Sequence, residues 1–309
     1  MIEVAIMVEG QNGLNWERWQ RIAHAVEALG FVGLYRSDHY TNPNPPDMDS
    51  LELWVSLTWL ASHTSRIEFG PLVSPVSFRQ PTMTARMAAA IDDLSGGRLV
   101  LGVGAGWQER EHTNYDWPLL GISERLDRFE EGLQIISGLL RSETPLDFVG
   151  SYYQLHNAVV LPHPKRGNRL PILIGGNGPE RTLPLAARYA DEWNCVFATV
   201  DKGAQLNQRL DGLLNANGRG PQAVRRSLMT RVIFGQNDAA LQAKAASEGQ
   251  SLDQLQSGPL IVGTGSAIVD QLGRVAEAGF SRVMLQWLEL DDIDGLEALA
   301  KSVLPQISH

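Results

Sequence analysis

Short apolar runs alternate with helical patterns along this chain of 309 residues. Eight runs have the length and apolar character of strands that are buried on both faces. They are residues 4–8, 32–36, 67–73, 99–103, 172–174, 192–196, 228–234 and 282–286. Eight β/α units favour a (β/α)₈ TIM barrel formed by residues 1–309 as a single domain. A doubly wound open sheet remains the alternative, because the number of strands does not prove closure.

Two segments interrupt the alternation. The first follows the fourth strand and contains a helical pattern at 124–140 and a hairpin pattern at 148–160. The second follows the seventh strand, where residues 239–247 are helical and residues 251–260 show no clear pattern. Both segments are therefore predicted to be additions to the barrel. The other helices are predicted at 16–29, 51–62, 81–94, 180–189, 206–217, 266–278 and 296–303.

Composition excludes several classes of partner. The net charge is −9 and no basic block occurs, so nucleic acids and anionic membranes are poor partners. No apolar run approaches the roughly 20 residues that span a bilayer. The first residues lack the basic region and cleavage site of a signal peptide, which predicts a cytoplasmic protein. Cys195 is the only cysteine, so no disulfide can form within the chain.

Residues 92–107 predict a ligand site at the end of the fourth strand. Ser95 and two glycines stop the preceding helix, and an apolar strand follows. Gly104, Ala105 and Gly106 then let the backbone approach a ligand, while Trp107 offers a flat apolar wall. Catalytic residues of a barrel lie at the C-terminal ends of its strands. This strand end therefore predicts a ring-shaped ligand.

Asp38 and His39 form the only acid–histidine pair at a predicted strand end. Histidine changes protonation near neutral pH and suits proton transfer beside a reacting centre. The alternative is that the histidine caps a loop and the aspartate satisfies local amides. Glu9, at the end of the first strand, is a further candidate for the substrate site.

A glycine-rich turn follows the fifth strand, at Gly175, Gly176, Asn177 and Gly178. Free amides at the start of the next helix suit a phosphate group. A tight strand-to-helix turn would also use glycine, and this reading stays open.

Other sites are not supported by the sequence. Residues 102–106 lack the third glycine of a dinucleotide fingerprint. The seven histidines are scattered and the first strand carries no His-x-His pair, so no metal site is expected. No G-x-S-x-G nucleophile elbow occurs.

Motifs along nearly the whole chain resemble the bacterial luciferase-like superfamily of flavin- and deazaflavin-dependent oxidoreductases. They lie at residues 30–39, 69–75, 79–81, 94–107, 125–131, 150–153, 174–176 and 279–283. The resemblance implies a tricyclic ring at the C-terminal end of the barrel. It also implies a cis peptide at Leu72-Val73 behind that ring and the cofactor phosphate at residues 175–178.

Two cofactors are compatible with this resemblance. The Ser37-Asp38-His39 sequence is similar to the branch that uses the deazaflavin F420, which implies hydride transfer. In that reading His39 donates or accepts a proton and Asp38 orients it. The alternatives are an FMN-dependent monooxygenase, supplied by a flavin reductase and using O₂, and a non-catalytic flavin-binding relative.

Trp107 restricts the range of substrates that is expected. The sugar-phosphate dehydrogenases of the F420 branch carry a glutamate at this position, so glucose 6-phosphate is an unexpected substrate here. A small apolar or aromatic organic substrate is expected instead. Glu9, Glu109 and Glu111 could supply an acid, but each is expected to be a surface or structural carboxylate. The resemblance also implies a homodimer.

Overall fold

The barrel strands lie side by side in one parallel sheet. A computed structural model describes residues 2–307. Its strands are β1 (Glu3–Val8), β2 (Gly33–Arg36), β3 (Glu68–Pro71), β4 (Ser74–Pro75), β5 (Leu101–Gly104), β6 (Leu146–Val149), β7 (Gln154–Ala158), β8 (Ile172–Gly175), β9 (Glu192–Val196), β10 (Arg225–Phe234), β11 (Ile261–Gly263) and β12 (Arg282–Gln286).

The helices surround this sheet. They are α1 (Trp16–Leu29), α2 (Leu53–His63), α3 (Pro81–Leu94), α4 (Glu109–Asn114), α5 (Ile122–Arg141), α6 (Thr182–Tyr189), α7 (Val200–Ala216), α8 (Asp238–Ser247), α9 (Leu252–Gln256), α10 (Gly265–Glu277) and α11 (Ile293–Ile307). None of these helices is long and apolar enough to cross a bilayer.

The sheet closes on itself. Its strands run in the order β3-β2-β1-β12-β10-β9-β8-β5-β4. The gap between β3 and β5 is bridged where the Phe69 amide donates to the Arg98 carbonyl (3.1 Å) and the Val100 amide donates to the Phe69 carbonyl (2.9 Å). The predicted TIM barrel is confirmed, and the open-sheet alternative is wrong. That residues 1–309 form a single domain stays a prediction, and residues 1, 308 and 309 lie outside the described part.

Both predicted additions are present. The hairpin β6-β7 follows α5, and α8, α9 and β11 follow β10, with β11 pairing beside β10. Three helix predictions need correction. Helix α11 runs over Ile293–Ile307 and so extends beyond both ends of the predicted 296–303. Helix α7 begins at Val200, six residues before the predicted start, because Thr199 caps it by accepting from the Lys202 amide. The short helix α4, at 109–114, was not predicted, because it carries few apolar residues.

Strand alternation sorts side chains into two cores. Most buried apolar residues lie between the sheet and its helices. A smaller apolar cluster fills the barrel interior, formed by Ala5, Met7, Tyr35, Leu72, Val100, Leu173, Met229 and Met284. Charged residues close the N-terminal end of the barrel below this cluster. A cavity opens above it at the C-terminal ends of the strands, which we call the mouth.

Candidate active site at the mouth of the barrel

The mouth holds a cavity of about 480 Å³. Its wall contains most of the residues expected to form the site, namely Glu9, His39, Leu72, Val73, Gly104, Ala105, Gly106, Trp107, Gly175 and Gly176. Asp38, Asn177 and Gly178 were also expected, but they do not line the cavity. Glu111, Asn194 and Phe197 line it and were not expected there. Strand ends that are distant in sequence therefore meet around one cavity.

His39 is held by Glu111. The Nδ1 atom of the imidazole lies 2.8 Å from Glu111 Oε1, and the Tyr40 amide donates to Glu111 Oε2 at 3.1 Å. A carboxylate can only accept hydrogen bonds, so Nδ1 carries the hydrogen. Nε2 has no hydrogen-bond partner among residues 2–307. The ring is thus oriented by one nitrogen and leaves the other for a ligand.

The buried carboxylate also controls the protonation of His39. Burial lowers the pKa of His39. The hydrogen bond from His39 to Glu111 and the negative charge of Glu111 raise the pKa, and together with the other nearby carboxylates they outweigh burial, so the net pKa lies above its usual value. Glu111 itself is only 1% exposed. It is placed by α4, whose first turn is capped when the Glu111 amide donates to Gln108 Oε1. Glu111 is therefore not a surface carboxylate; that it is a structural one stays open.

Asp38 does not orient His39. Its carboxylate accepts from Ser74 Oγ at 2.7 Å and from Arg79 Nη1 at 2.5 Å. Adjacent residues of an extended segment point to opposite sides, so Asp38 faces away from the ring of its neighbour. The predicted role of Asp38 as the orienting residue is therefore corrected: Glu111 takes that place.

Leu72 and Val73 form the apolar floor. The peptide bond between them is cis, as expected. The Val73 side chain fits between two glycines, since a Cβ added at Gly104 would lie 2.6 Å from Val73 Cγ2 and one at Gly175 would lie 3.1 Å from Cγ1. A Cβ at Gly104 would collide with Val73, whereas one at Gly175 would require Val73 to move by a few tenths of an ångström.

The glycine turn contributes to the cavity only at its start. Gly176 has a left-handed φ of 125°, which favours glycine. The Asn177 side chain instead ties the turn to β9, because its Oδ1 accepts from the Val196 amide (2.9 Å) and its Nδ2 donates to the Val196 carbonyl (2.6 Å). Arg209 reaches the turn and donates to the Pro179 carbonyl at 3.0 Å. Phosphate binding here stays a prediction.

Two aromatic side chains form the rim. Trp107 is 60% exposed and meets the His39 ring edge-on, with ring centroids 5.5 Å apart. Phe197 follows β9 and is 40% exposed. Its φ of 46° lies in the left-handed region, which bulky side chains rarely adopt. Both rings therefore keep a large part of their surface open to a ligand.

A buried amide lies in the cavity wall. Asn194 donates through Nδ2 to Ser227 Oγ at 2.9 Å, but its Oδ1 has no partner among the described residues. Buried polar atoms without a partner are rare in native proteins. Among the same residues, no group of His, Cys, Asp and Glu could hold a metal ion.

Sequence reasoning missed three residues of this wall. Glu111 lies 72 residues from His39 in the sequence, and no local pattern links the two. Asn194 interrupts an apolar strand, which is a usable signal, because a polar side chain inside a buried strand needs a partner. Phe197 carries no sequence signal, because its conformation depends on the turn after β9.

Comparison with known proteins places these features in a family context. The profile of a family described as luciferase-like monooxygenase matches residues 2–282. An F420-dependent glucose-6-phosphate dehydrogenase from Kineococcus radiotolerans is 30% identical over 220 residues, which cover 69% of this chain and 63% of that protein. A 4-hydroxyprotoasukamycin monooxygenase from Streptomyces nodosus is 30% identical over 179 residues, covering 57% of this chain and 46% of that protein.

The chain thus spans about half to three-fifths of the length of these curated relatives. Among solved structures, an F420-dependent secondary alcohol dehydrogenase with an F420-acetone adduct superposes with a TM-score of 0.87. That alignment covers 99% of each chain at 17% identity, and this likeness shows the shared fold.

Proposed function

The chain belongs to the luciferase-like monooxygenase family, and from that premise we propose that it is an F420-dependent oxidoreductase acting on a small apolar or aromatic organic substrate. The observation that carries the proposal is the His39–Glu111 pair at the apolar cavity. It provides a proton-carrying group beside a space that can accept a ring and a substrate. The family supplies enzymes of two kinds, oxidoreductases that use F420 and flavin monooxygenases.

The wall of the cavity fits a flat ring system. Gly104 and Gly175 leave the Val73 methyl groups exposed as an apolar surface. Leu72, Val73, Gly104, Ala105, Gly106, Gly175 and Gly176 are therefore the proposed cofactor contacts. The turn at Asn177 and Gly178 is proposed for the phosphate.

Reduced F420, when bound, would supply a hydride to the substrate carbon and would itself be oxidised by that transfer. His39 holds the proton that the substrate oxygen needs, on Nε2, and a carbonyl compound would thereby become an alcohol. The pKa of His39 is raised above its usual value, so the ring keeps this proton up to a higher pH than an unperturbed imidazole would. Glu111 acts on the reaction through His39 and is a positioning residue.

FMN-dependent oxygenation is the second candidate. It is supported by the similarity to the Streptomyces monooxygenase. A separate reductase would then have to supply reduced FMN, and the same cavity would bind its ring. We favour F420 because Ser37, Asp38 and His39 match the F420 branch and because an F420-dependent relative is similar over 69% of this chain.

Equilibrium binding tests the choice of cofactor. The purified protein is titrated with F420 and, separately, with FMN, and binding is followed by fluorescence. We expect saturable binding of F420 and much weaker binding of FMN. Tight FMN binding without F420 binding would overturn the proposal in favour of the monooxygenase. Binding of either ring without any turnover would favour a non-catalytic relative.

We further propose that the protein is a cytoplasmic homodimer. The homodimer is supported by the family resemblance, and a net charge of −9 without a basic block disfavours association with an anionic membrane. Sedimentation equilibrium measures the mass in solution, for which a monomer has 34.0 kDa. A mass of one chain at micromolar concentration would contradict the dimer.

A further inference from the structure

The cavity wall is acidic. Glu9, His39 and Glu111 are its ionisable side chains, and no lysine or arginine of the described residues lines it. Glu111 already forms a hydrogen bond with His39. When His39 is protonated, that pair is neutral and Glu9 leaves one negative charge. When His39 is neutral, the wall carries two negative charges, so it is never positive.

Glu9 is held by neutral donors. Its Oε1 accepts from Gln286 Nε2 at 2.6 Å and its Oε2 accepts from Gln11 Nε2 at 3.0 Å. Both donors are amides, which fix the carboxylate without cancelling its charge. Among residues 2–307, Glu9 forms no salt bridge with any Lys, Arg or His. The carboxylate is therefore held in place at the cavity without a salt bridge. The buried Arg36 guanidinium acts on Glu9 only through space, since its own hydrogen bonds go to Ser37, Leu51 and Ser56.

Buried carboxylates elsewhere in the protein are matched. Asp38 meets Arg79 at 2.5 Å, Asp92 meets Arg166 at 2.7 Å, and both carboxylates are almost completely buried. The fold thus supplies an arginine where a carboxylate is structural. Glu9 differs from them because it is only partly buried and its direct contacts are hydrogen bonds from neutral amides. No salt bridge within residues 2–307 pairs its charge at the cavity wall, and this leaves the charge to act on a ligand.

The rim is apolar and partly strained. Among the described residues, three that are not glycine have a left-handed φ, and two of them are Asp116 and Asn157, residue types that tolerate it. The third is Phe197, whose amide donates to the Met229 carbonyl at 2.9 Å. Strained residues concentrate where a side chain must face a ligand. Phe197 and Trp107 approach the cavity from β9 and β5, the two strands on either side of β8.

Resting on the proposed function, we infer that the substrate is an aromatic ketone or aldehyde that is uncharged or cationic, and that anionic substrates are excluded. Its ring lies against Trp107 and Phe197, which are already exposed at the rim. Glu9 attracts a positive charge on the substrate and repels a negative one. The reaction is the hydride and proton transfer described above, so charge selection requires no further reactant.

Three ketones that share the acetophenone core and differ in charge test this charge selection. They are acetophenone, the anionic 4-acetylbenzoate and the cationic (4-acetylphenyl)trimethylammonium. Binding to the cofactor-free protein is measured by calorimetry, and kcat/KM is measured with reduced F420. We expect the anion to bind about tenfold more weakly than acetophenone, and the cation to bind at least as well. Equal affinities, an anion that binds best, or no binding of any ketone would overturn the inference.

The two measurements separate this inference from the proposed function. If F420 is the wrong cofactor, turnover fails but the charge ranking in the cofactor-free protein remains. Glu9→Gln keeps the hydrogen-bonding shape and removes the charge, so it should shrink the difference between anion and cation. An unchanged ranking in a Glu9→Gln variant with wild-type circular dichroism would show that Glu9 is not the selecting group.

Substitutions at the two rim residues test the role of the rim, and Trp16, which lies outside the cavity, serves as the control for Trp107. Trp107→Ala and Phe197→Gly should each weaken acetophenone binding severalfold, and Phe197→Gly should not destabilise the fold, since glycine accepts a φ of 46°. Trp16 is also exposed but lies at the start of α1, outside the cavity. Trp16→Ala should therefore leave binding unchanged. Equal losses in Trp16→Ala and Trp107→Ala would refute the role of the rim.

Discussion

Charged side chains form salt bridges with one another at the N-terminal end of the barrel, whereas Glu9 at the mouth forms none among the described residues. At the N-terminal end, Arg282 meets the carboxylates of Glu3 (2.7 Å), Glu68 (2.6 Å) and Glu192 (3.3 Å). At the mouth, Glu9 has only neutral donors among the described residues. Charges at the N-terminal end therefore neutralise one another within the fold. The Glu9 carboxylate at the mouth has no salt-bridge partner in the described part of the chain, so its charge is available to a ligand.

The N-terminal network is structural. Arg282 is 1% exposed and also donates to the Tyr35 hydroxyl at 2.8 Å. Burial lowers the pKa of Arg282, but Tyr35 and the three carboxylates raise it more strongly, so the guanidinium stays charged. Burial raises the pKa of Glu192, and Arg282 opposes that rise. A buried charge of this kind is tolerated only when it is paired and hydrogen-bonded.

Cavity size does not separate the two ends. A cavity of about 690 Å³ lies at the N-terminal end, larger than the one at the mouth. Its wall is dominated by arginines and carboxylates, which largely pair with each other. The mouth combines an apolar floor with a few convergent polar groups, as ligand sites do. Polar and charged side chains that have no salt-bridge partner within the described part of the protein identify the site better than cavity volume does.

Arg282→Met should produce the largest effect, and it should be an effect on stability. Removing the guanidinium leaves three carboxylates near one another, one of them buried, which costs about 3–5 kcal/mol of unfolding free energy. Urea unfolding measures this loss. The exposed Lys301 pairs only with Glu297 among the described residues, so Lys301→Met serves as a control with little change. An Arg282→Met variant with wild-type stability would contradict the structural role of the charges at the N-terminal end.

His39→Ala should produce the largest effect on catalysis. Turnover should fall by about 10²-fold or more, because the substrate oxygen loses its proton donor. The free energy of unfolding should change much less than in Arg282→Met. Steady-state kinetics with reduced F420 measures the loss, and the exposed His24 on α1 gives the control variant His24→Ala. Wild-type turnover in His39→Ala would remove this residue from the mechanism.

Gly104→Ala should disturb the floor of the mouth. The added Cβ would lie 2.6 Å from Val73 Cγ2, and overpacking of this kind costs about 1–3 kcal/mol. Cofactor binding should weaken as Val73 shifts. Gly273 lies in α10, where an added Cβ would meet only open space, so Gly273→Ala should instead stabilise by about 0.5–1 kcal/mol. Thermal unfolding and cofactor titration of both variants measure the difference, and similar behaviour would contradict the steric argument.

Glu111→Gln should change the pH dependence of the reaction. Below its folded pKa, His39 carries the proton and reduction is fast; as the pH rises through that pKa, reduction slows. Burial lowers the pKa of His39, but Glu111 raises it above its usual value, so the variant should lose activity at a lower pH than the wild type. The stability gained from the pair follows the same sign: it is complete below the usual pKa and disappears above the folded one.

The pH profile of kcat/KM measures this shift. Glu109 neighbours Glu111 on α4 but is exposed, so Glu109→Gln is the matched control and should leave the profile unchanged. A profile that does not move in Glu111→Gln would mean that the carboxylate is a packing element and that both ends of the barrel use charge structurally.

Much of the fold could be predicted from local patterns. Helices α1 and α3 have the predicted bounds, because each combines an apolar face with a clear terminal signal at Gly30 or at Pro81. Glycines at 104 and 175 and the histidine at 39 marked the mouth, because barrel strands all end on one face. The wrong helix predictions concern α11, α7 and α4. The first turns of α7 and α4 are mostly polar and are set by capping.

The sequence by itself determined the barrel, its family and the position of its mouth, because these depend on periodicity and on motifs that are local in the chain. Only the tertiary structure decided which carboxylate meets His39. Asp38 is adjacent in sequence but points the other way and binds Arg79, whereas Glu111 arrives from α4 after the barrel closes. Closure brings distant strand ends together, and contacts formed in this way leave no trace in local spacing.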